Sequence, residues 1–567
     1  MLLKLFLFLS FATIFLNAGQ IEEVANSKEW KVLLHVDENN ISQIQDKNFY
    51  LSEQSNPVIE LRTLLDNMNC QNICKFPARY NFISKKFNRN ISFSHCSTLN
   101  TFLIDTESDD SSIVFAAPYL ESPVSYFGHT FIKLNKQDDL FFSETISYSA
   151  KIPENIPIWK LAQDGIMGGF QGKYVVSPYF KLYEGYNAIE QRNLYEYKLT
   201  LEKDELYKMR LHVYELLDIN VPYEFFNKNC SSELFWLLDN ARPGLNLHEK
   251  LNAYTIPFDT IEILKSNQLI VSSQVYPSLN SRLHKIYNQL SDEEKNIFLD
   301  LKQHDVDKKT QIDKLDISLV SKNKIIELLN GYHDLMFKKF NTYQSDFREV
   351  KNLRFTESDI YLDSEYHQSK PHGIEFGILN DNQRIYQTFE FKPIFFDRYE
   401  SYTNNINEST LQFFNFELIH DDNWMLNRLN LLKIESHTKQ KPFYAPLSWR
   451  VVVGMDRNIN KNISPLIEFG VGPTYGNDNF ALFFIGQAST YPLDNTFGLQ
   501  GVYGLSVWMT NNIHLNVDFK NTFIHAGNDI NDEKAANLLF KYSISSNIKL
   551  KKYLGSDSWQ LAIEKKF

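Results

Sequence analysis

The sequence predicts an α+β chain that ends in an antiparallel β-barrel of about twelve strands. Three observations lead there. Apolar residues recur with helical spacing in the first hundred or so positions and again over 284–345. Between them lie short β-branched and aromatic runs alternating with amphipathic helices. After about residue 350 the period switches to two and stays there.

The chain opens on MLLKLFLFLSFATIFLNAGQ, with Lys4, an apolar run from Leu5 to Leu16 and small residues at Ala18 and Gly19. That is the pattern of a cleaved secretory signal over 1–19, too short and too near the start for a stable membrane helix. Beyond it no run of 18 apolar residues occurs. A hydrophobic content of 43% and a charged content of 22% describe a folded chain, and 567 residues exceed one ordinary core. The net charge of −11, without a basic patch, argues against a nucleic-acid partner.

Residues 20–112 read as a mainly helical domain. "NPVIELRTLLDN" has helical spacing, and "CKFPARYNFISKKF" reads as a turn and a second helix. Residues 113–270 form a second domain. "SSIVFAAPYL", "SYFGHTFIKL" and "DLFFSETISYSA" are its first strands, and "GIMGGFQGKYVVSPY" reads as a glycine-rich mobile loop. "NLYEYKLTL" alternates as a strand, and "EKDELYKMRLHVYELLDI" is an amphipathic helix. A helix then starts at Cys230 in "NKNCSSELFWLLDN", capped by Asn227 or Asn229. Residues 271–345 form a helical connection in which Ser291 and Glu294 make a capping box.

Residues 346–567 form the barrel. In "IHLNVDFK", Ile513, Leu515, Val517 and Phe519 share one face and His514, Asn516, Asp518 and Lys520 the other. A soluble sandwich would turn the apolar face inward; an outer-membrane barrel turns it to lipid. The signal peptide, the even strand estimate, the aromatic strand ends and a last strand closing on Phe567 favour the barrel in the outer membrane.

Four cysteines remain. Cys70, Cys74 and Cys96 cluster, and Cys230 stands apart. A disulfide within the cluster is expected, with Cys74–Cys96 favoured and a Cys230 bridge as the alternative. A cysteine at a helix start has backbone N–H groups and the positive end of the dipole at its sulfur, which favours the thiolate and can hold an oxyanion. His129, after Gly128 on a strand, is the candidate base. Glu144 or Ser147 on the next strand is a candidate to orient it, with Glu144 preferred for its charge. Asn229 and Ser231 are the candidate cap and oxyanion donors. Arg192 and Glu196 either orient polar substrate groups or form structural ion pairs, and "GIMGGFQG" is either a lid or a turn. No His/Cys/Asp grouping has zinc spacing, so neither metal nor cofactor is expected.

"SYFGHTFIKL", "NLYEYKL", "YEFFNKNCSSELFWLLD" and "YTIPFDT" together resemble the Lnb N-terminal periplasmic domain family over about residues 113–265. That family is related to the permuted NlpC/P60 thiol enzymes, with a papain-like fold. The resemblance implies a Cys–His acyl-transfer centre, with Cys230 as nucleophile and acyl carrier and His129 as general base. It implies lipoprotein N-acylation, with a phospholipid as acyl donor and a lipoprotein as acceptor. The acyltransferase that names the family carries membrane helices, whereas this chain ends in strands. A peptidoglycan peptidase or amidase, and a non-enzymatic barrel with Cys230 locked in a disulfide, are the alternatives.

Overall fold

The computed structural model describes residues 19–118, 127–136, 142–153, 156, 160, 164–165, 168–226, 228–252, 254–303, 308–340, 370–381, 383–397, 408–441, 445–457, 462–477, 479–510, 512–526, 534–545, 548–555 and 558–567. The signal segment up to residue 18 and the expected barrel start over 346–369 lie outside them. The chain divides into two compact units, one of residues 1–294 and 307–365, the other of 295–306 and 366–567.

The first unit begins with helices α1 (Lys28–Leu33), α2 (Pro57–Asp66), α3 (Cys70–Lys75), α4 (Pro77–Lys86) and α5 (Ser97–Asp105). Asn56 caps α2 through Val58 and Ile59 N–H, and Pro57 takes the first helical position, where a missing N–H costs nothing. A disulfide joins Cys74 to Cys96, and Cys70 and Cys230 are free thiols.

A seven-stranded antiparallel sheet follows, in the order β6-β4-β3-β2-β1-β5-β7. Its strands are β1 (Asp110–Ala116), β2 (His129–Asn135), β3 (Glu144–Ala150), β4 (Phe170–Pro178), β5 (Leu194–Leu199), β6 (Val221–Tyr223) and β7 (Ile270–Tyr276). Between β4 and β5 come α6 (Tyr179–Tyr183) and a π-helical segment, Glu184–Ile189. The helices α7 (Lys203–Leu216) and α8 (Ser232–Ala241) pack against each other, followed by α9 (Pro257–Ser266). A capping box of Glu202 and Glu205 opens α7.

The expected glycine-rich loop is largely strand. From Phe170 it pairs with β3 and β6, with Phe170, Gly172 and Tyr174 buried. Gly172 lies under the Tyr148 ring, whose hydroxyl donates to the carbonyls of Val221 and Pro222, so a Cβ there would collide with the pinned ring. The glycine marks a close approach within a sheet, which in sequence reads like a loop signal.

Arg79 joins the leading helices to α7. Its guanidinium pairs with Glu60 at 2.9 Å and Glu215 at 3.2 Å, all three side chains fully buried. Beside it the Nε2 atoms of His35 and His212 lie 3.0 Å apart.

Helices α10 (Leu279–Asn288), α11 (Asp292–Gln303), α12 (Lys308–Lys314) and α13 (Leu319–Phe340) follow the sheet. Ser291 accepts from Glu294 N–H while the Glu294 carboxylate accepts from Ser291 N–H, the capping box expected there.

The second unit is a closed antiparallel barrel. Its twelve wall strands are β8 (Gly373–Asp381), β9 (Arg384–Lys392), β11 (Glu408–His420), β12 (Trp424–His437), β13 (Ser448–Arg457), β14 (Ile463–Gly472), β16 (Phe480–Tyr491), β17 (Thr496–Thr510), β18 (Ile513–Ala526), β19 (Lys534–Ser543), β20 (Ile548–Leu554) and β21 (Ser558–Lys566). Short β10 (Ile394–Phe396) pairs with β11, and β15 (Thr474–Gly476) with β16. The last strand pairs with the first, Glu564 opposite Glu375, and β9 pairs with β11, so no edge remains.

The faces are inverted relative to a soluble protein. Trp559, Leu561 and Ile563 on β21 are exposed, while Ala562, Glu564 and Lys566 between them are buried. On β14 Ile467, Phe469 and Val471 point outward and Glu468 inward. In "IHLNVDFK" the buried members are His514 and Asn516, and Phe519 is exposed. Inside, Lys392 meets Glu375 at 2.6 Å, Glu564 at 2.7 Å and Glu390 at 3.0 Å, and Lys551 meets Glu375 and Glu564. An apolar exterior on a closed ring with ion pairs in the lumen is the construction of an outer-membrane barrel. Among the described residues no helix is long and apolar enough to cross a membrane.

Candidate active site

The site is built where the start of β2 meets the turn before α8. The helix begins at Ser232, two positions after the start expected for it, so Cys230 lies in that turn. Asn229 is the reason. Its Oδ1 accepts from Ser231 N–H at 3.0 Å, Ser231 Oγ at 2.8 Å and Ser232 N–H at 3.2 Å. Its Nδ2 donates to the carbonyls of Phe225 at 3.0 Å and Thr255 at 2.6 Å. Asn229 thus caps the helix and pins the turn to the chain ahead of α9. The Ser231 N–H, expected as an oxyanion donor, is spent on this cap.

Cys230 is buried and faces Thr130, the residue after His129. Burial raises its thiol pKa; the Thr130 N–H and hydroxyl, the Arg192 charge and its own N–H pull the other way without prevailing. The Tyr223 hydroxyl also faces the Cys230 backbone and sulfur. The expected thiolate is therefore not the resting form. The dipole and N–H groups of α8 are engaged by Asn229, and desolvation of the charged sulfur outweighs what remains.

Alternation along β2 turns His129 and Phe131 to the face where Tyr186 lies. The His129 and Tyr186 rings are 5.5 Å apart, and the Phe131 and Tyr186 rings 6.2 Å. Burial, then the Arg192 charge, pushes the His129 pKa down to about 3, so the imidazole is neutral at neutral pH. Among the described residues no hydrogen bond joins His129 to Cys230; Tyr186 and Arg192 are the groups that act on both. Catalytic hydrogen bonds commonly tighten only when substrate is bound.

Glu144 does not join them. The β2–β3 register sets it opposite Leu134, five residues along β2 from His129, or about 16 Å at strand rise. The charges around it are Lys136, Asp105 and Lys181. Ser147 sits on the same strand, paired with Val175 of β4. Glu196 forms a buried ion pair with Lys133 at 3.1 Å. Of the glycine-rich segment, the Gly165 carbonyl accepts from Phe225 N–H at 2.7 Å, which ties it to the chain leading to Cys230. Residues 166–167 lie outside the described residues.

Thr130, Tyr186 and Tyr223 were not singled out in the sequence. Thr130 adjoins the histidine in "GHT", but nothing local says that it meets the cysteine. Tyr186 and Tyr223 come from elements that only the fold brings together. Among the described residues the one metal-compatible grouping, Cys74, His95 and Cys96, contains the two sulfurs of the disulfide.

Residues 100–267 match the family described as the Lnb N-terminal periplasmic domain. Over that span the chain is similar to the Lnb N-terminal periplasmic domain. Residues 22–86 and 363–562 match two domains of unknown function, DUF7843 and DUF7840. No curated protein matches. Among solved structures the chain is similar to the KdgM porin at 10% identity and a TM-score of 0.22, covering 34% of this chain and 99% of that one. It is also similar to the Acinetobacter baumannii outer membrane protein Omp33 at 9% identity and a TM-score of 0.21, covering 35% and 99%. The Lnb domain lies in the periplasm, and the inverted faces of the barrel place the second unit in the outer membrane.

Proposed function

We propose that this protein is an envelope thiol acyltransferase that acts on lipid or lipoprotein substrates through a Cys230 thioester. The observation that carries the reading is a free, buried thiol packed against the residue that follows a neutral histidine, in an Lnb domain. Cys230 Sγ attacks the ester carbonyl of a phospholipid while His129 takes the thiol proton. The N–H groups of Thr130 and Cys230, which face the sulfur, are the donors available to the developing oxyanion. Collapse breaks the ester C–O bond, and His129 returns its proton to the departing lysolipid oxygen. An acceptor amine, such as a lipoprotein amino terminus, then attacks the thioester. His129 takes the amine proton and passes it to the leaving sulfur, which regenerates the thiol and leaves an amide. Burial of Cys230 supports an amine acceptor over water.

The test is intact mass spectrometry of protein from membranes, wild type beside Cys230→Ala, with and without hydroxylamine. The expected result is a fatty-acyl adduct on wild type alone, released by hydroxylamine. A bare thiol together with cleavage of peptidoglycan stem peptides would replace acyl transfer with a peptidase.

A further inference from the structure

Arg192 is nearly fully buried, at 2% exposure, yet among the described residues it pairs with one carboxylate, Glu190, at 2.9 Å. Its other donors go to main chain: Nη2 to the Ala116 carbonyl at 2.8 Å and Nε to the Ala117 carbonyl at 2.5 Å. Ala116 is the ladder partner of His129. The guanidinium lies 4.7 Å over the Tyr186 ring, and that ring is the neighbour of His129. One side chain thus clamps the backbone opposite the histidine, holds the aromatic beside it, and sets a positive charge at the site.

We propose that Arg192 is a positioning residue of the Cys230–His129 site, fixing Tyr186 and the β1 backbone against His129 and setting the positive charge of the site. The inference rests on the reading of Cys230 and His129 as the reacting pair. A buried arginine is costly unless its charge and planar fork are both used. Here the fork is used by the two carbonyls. The charge is only partly offset by Glu190, which is itself partly exposed. The groups facing Cys230 are Thr130 from β2, Tyr223 from β6, Tyr186 from the π-helical segment and Arg192 before β5; of these Arg192 alone is cationic. Its field favours the thiolate and disfavours the imidazolium. It thereby lowers the cost of a charged sulfur while holding His129 neutral.

The experiment follows the rate of Cys230 alkylation by iodoacetamide against pH in the full-length protein. A Cys70→Ser background removes the exposed free thiol. Arg192→Gln is expected to move the midpoint up and slow alkylation at neutral pH about three- to tenfold, since one pKa unit is tenfold in thiolate. Arg192→Lys keeps the charge and is expected to fall between wild type and Arg192→Gln. Glu190→Gln leaves Arg192 less neutralised and is expected to move the midpoint down. That variant decides the matter if Arg192→Gln fails to fold. An unchanged midpoint in Glu190→Gln, or equal profiles for Arg192→Lys and Arg192→Gln, would overturn the proposal. If the alkylation order holds while wild type forms no acyl adduct, the acyltransferase reading fails and the Arg192 inference stands.

Discussion

Asn229 donates to the carbonyl of Thr255 at 2.6 Å across 26 positions of chain, while its own Oδ1 takes three donors from the start of α8. One amide therefore sets where Cys230 sits. Asn229→Ala is expected to cost about 2–4 kcal/mol, because it uncaps the helix and orphans buried groups. Asn229→Asp keeps the acceptor but loses both donors, so it should recover only part. Thermal melting followed by intrinsic fluorescence, with Cys230 alkylation as the local readout, checks both. A melting point unchanged in Asn229→Ala would remove the pinning role.

Glu233, in the first turn of α8 and three residues after Cys230, accepts from the Tyr174 hydroxyl at 3.1 Å. Burial raises its carboxyl pKa to about 7. In the unfolded chain it titrates near 4.3. Folding therefore retains a proton that the unfolded chain loses, and this group's contribution falls as pH rises from about 4.3 to about 7, then levels. Glu233→Gln removes that loss. It is expected to match wild type near pH 4 and to exceed it near pH 8, by on the order of 2 kcal/mol. His35 and His212, held low chiefly by burial, give the opposite trend below about 6.5; the difference between variant and wild type cancels His212, and the comparison at pH 8 lies above the range in which His35, 3.8 Å from Glu233, contributes a slope. Melting curves at the two pH values decide it; a constant difference would contradict the assignment.

In the barrel, Glu564 is fully buried between Lys392 and Lys551. Glu564→Ala leaves two lumen cations short of a partner and is expected to cost about 3–5 kcal/mol. The double change with Lys551→Ala should restore part of the loss, since it removes one of the stranded charges. The heat-modifiable gel mobility of the folded barrel reads both. Equal losses from the single and double variants would show that the lattice adds nothing.

Local signals were legible where chemistry is local. Asn56 with Pro57, Ser291 with Glu294, and the alternating runs after residue 350 each specify their own element. The ring of twelve strands follows from that alternation, because closure leaves no edge. Glycine misled over 165–179. The residues that permit a loop also permit the close approach of Gly172 to Tyr148, and only the neighbouring strand distinguishes the two. Glu144 misled because alternation assigns a face but not a partner. Its register with Leu134 carries it five positions from His129.

By itself the sequence determined the order of the elements, a strand histidine ahead of a cysteine at a helix start, and the alternation along the barrel strands. Those depend on spacing along the chain, with periods of 3.6 or 2 and caps within a turn. The tertiary structure decided that the strands close into a ring, which leaves the apolar face the sequence had assigned to lipid on the outside. It also decided that Cys230 rests as a thiol beside Thr130 and that Arg192 reaches both it and the backbone opposite His129. The physical reason is that desolvation and charge act through space. A pKa is set by whatever the fold packs around the group, and those neighbours come from strands and turns distant in sequence.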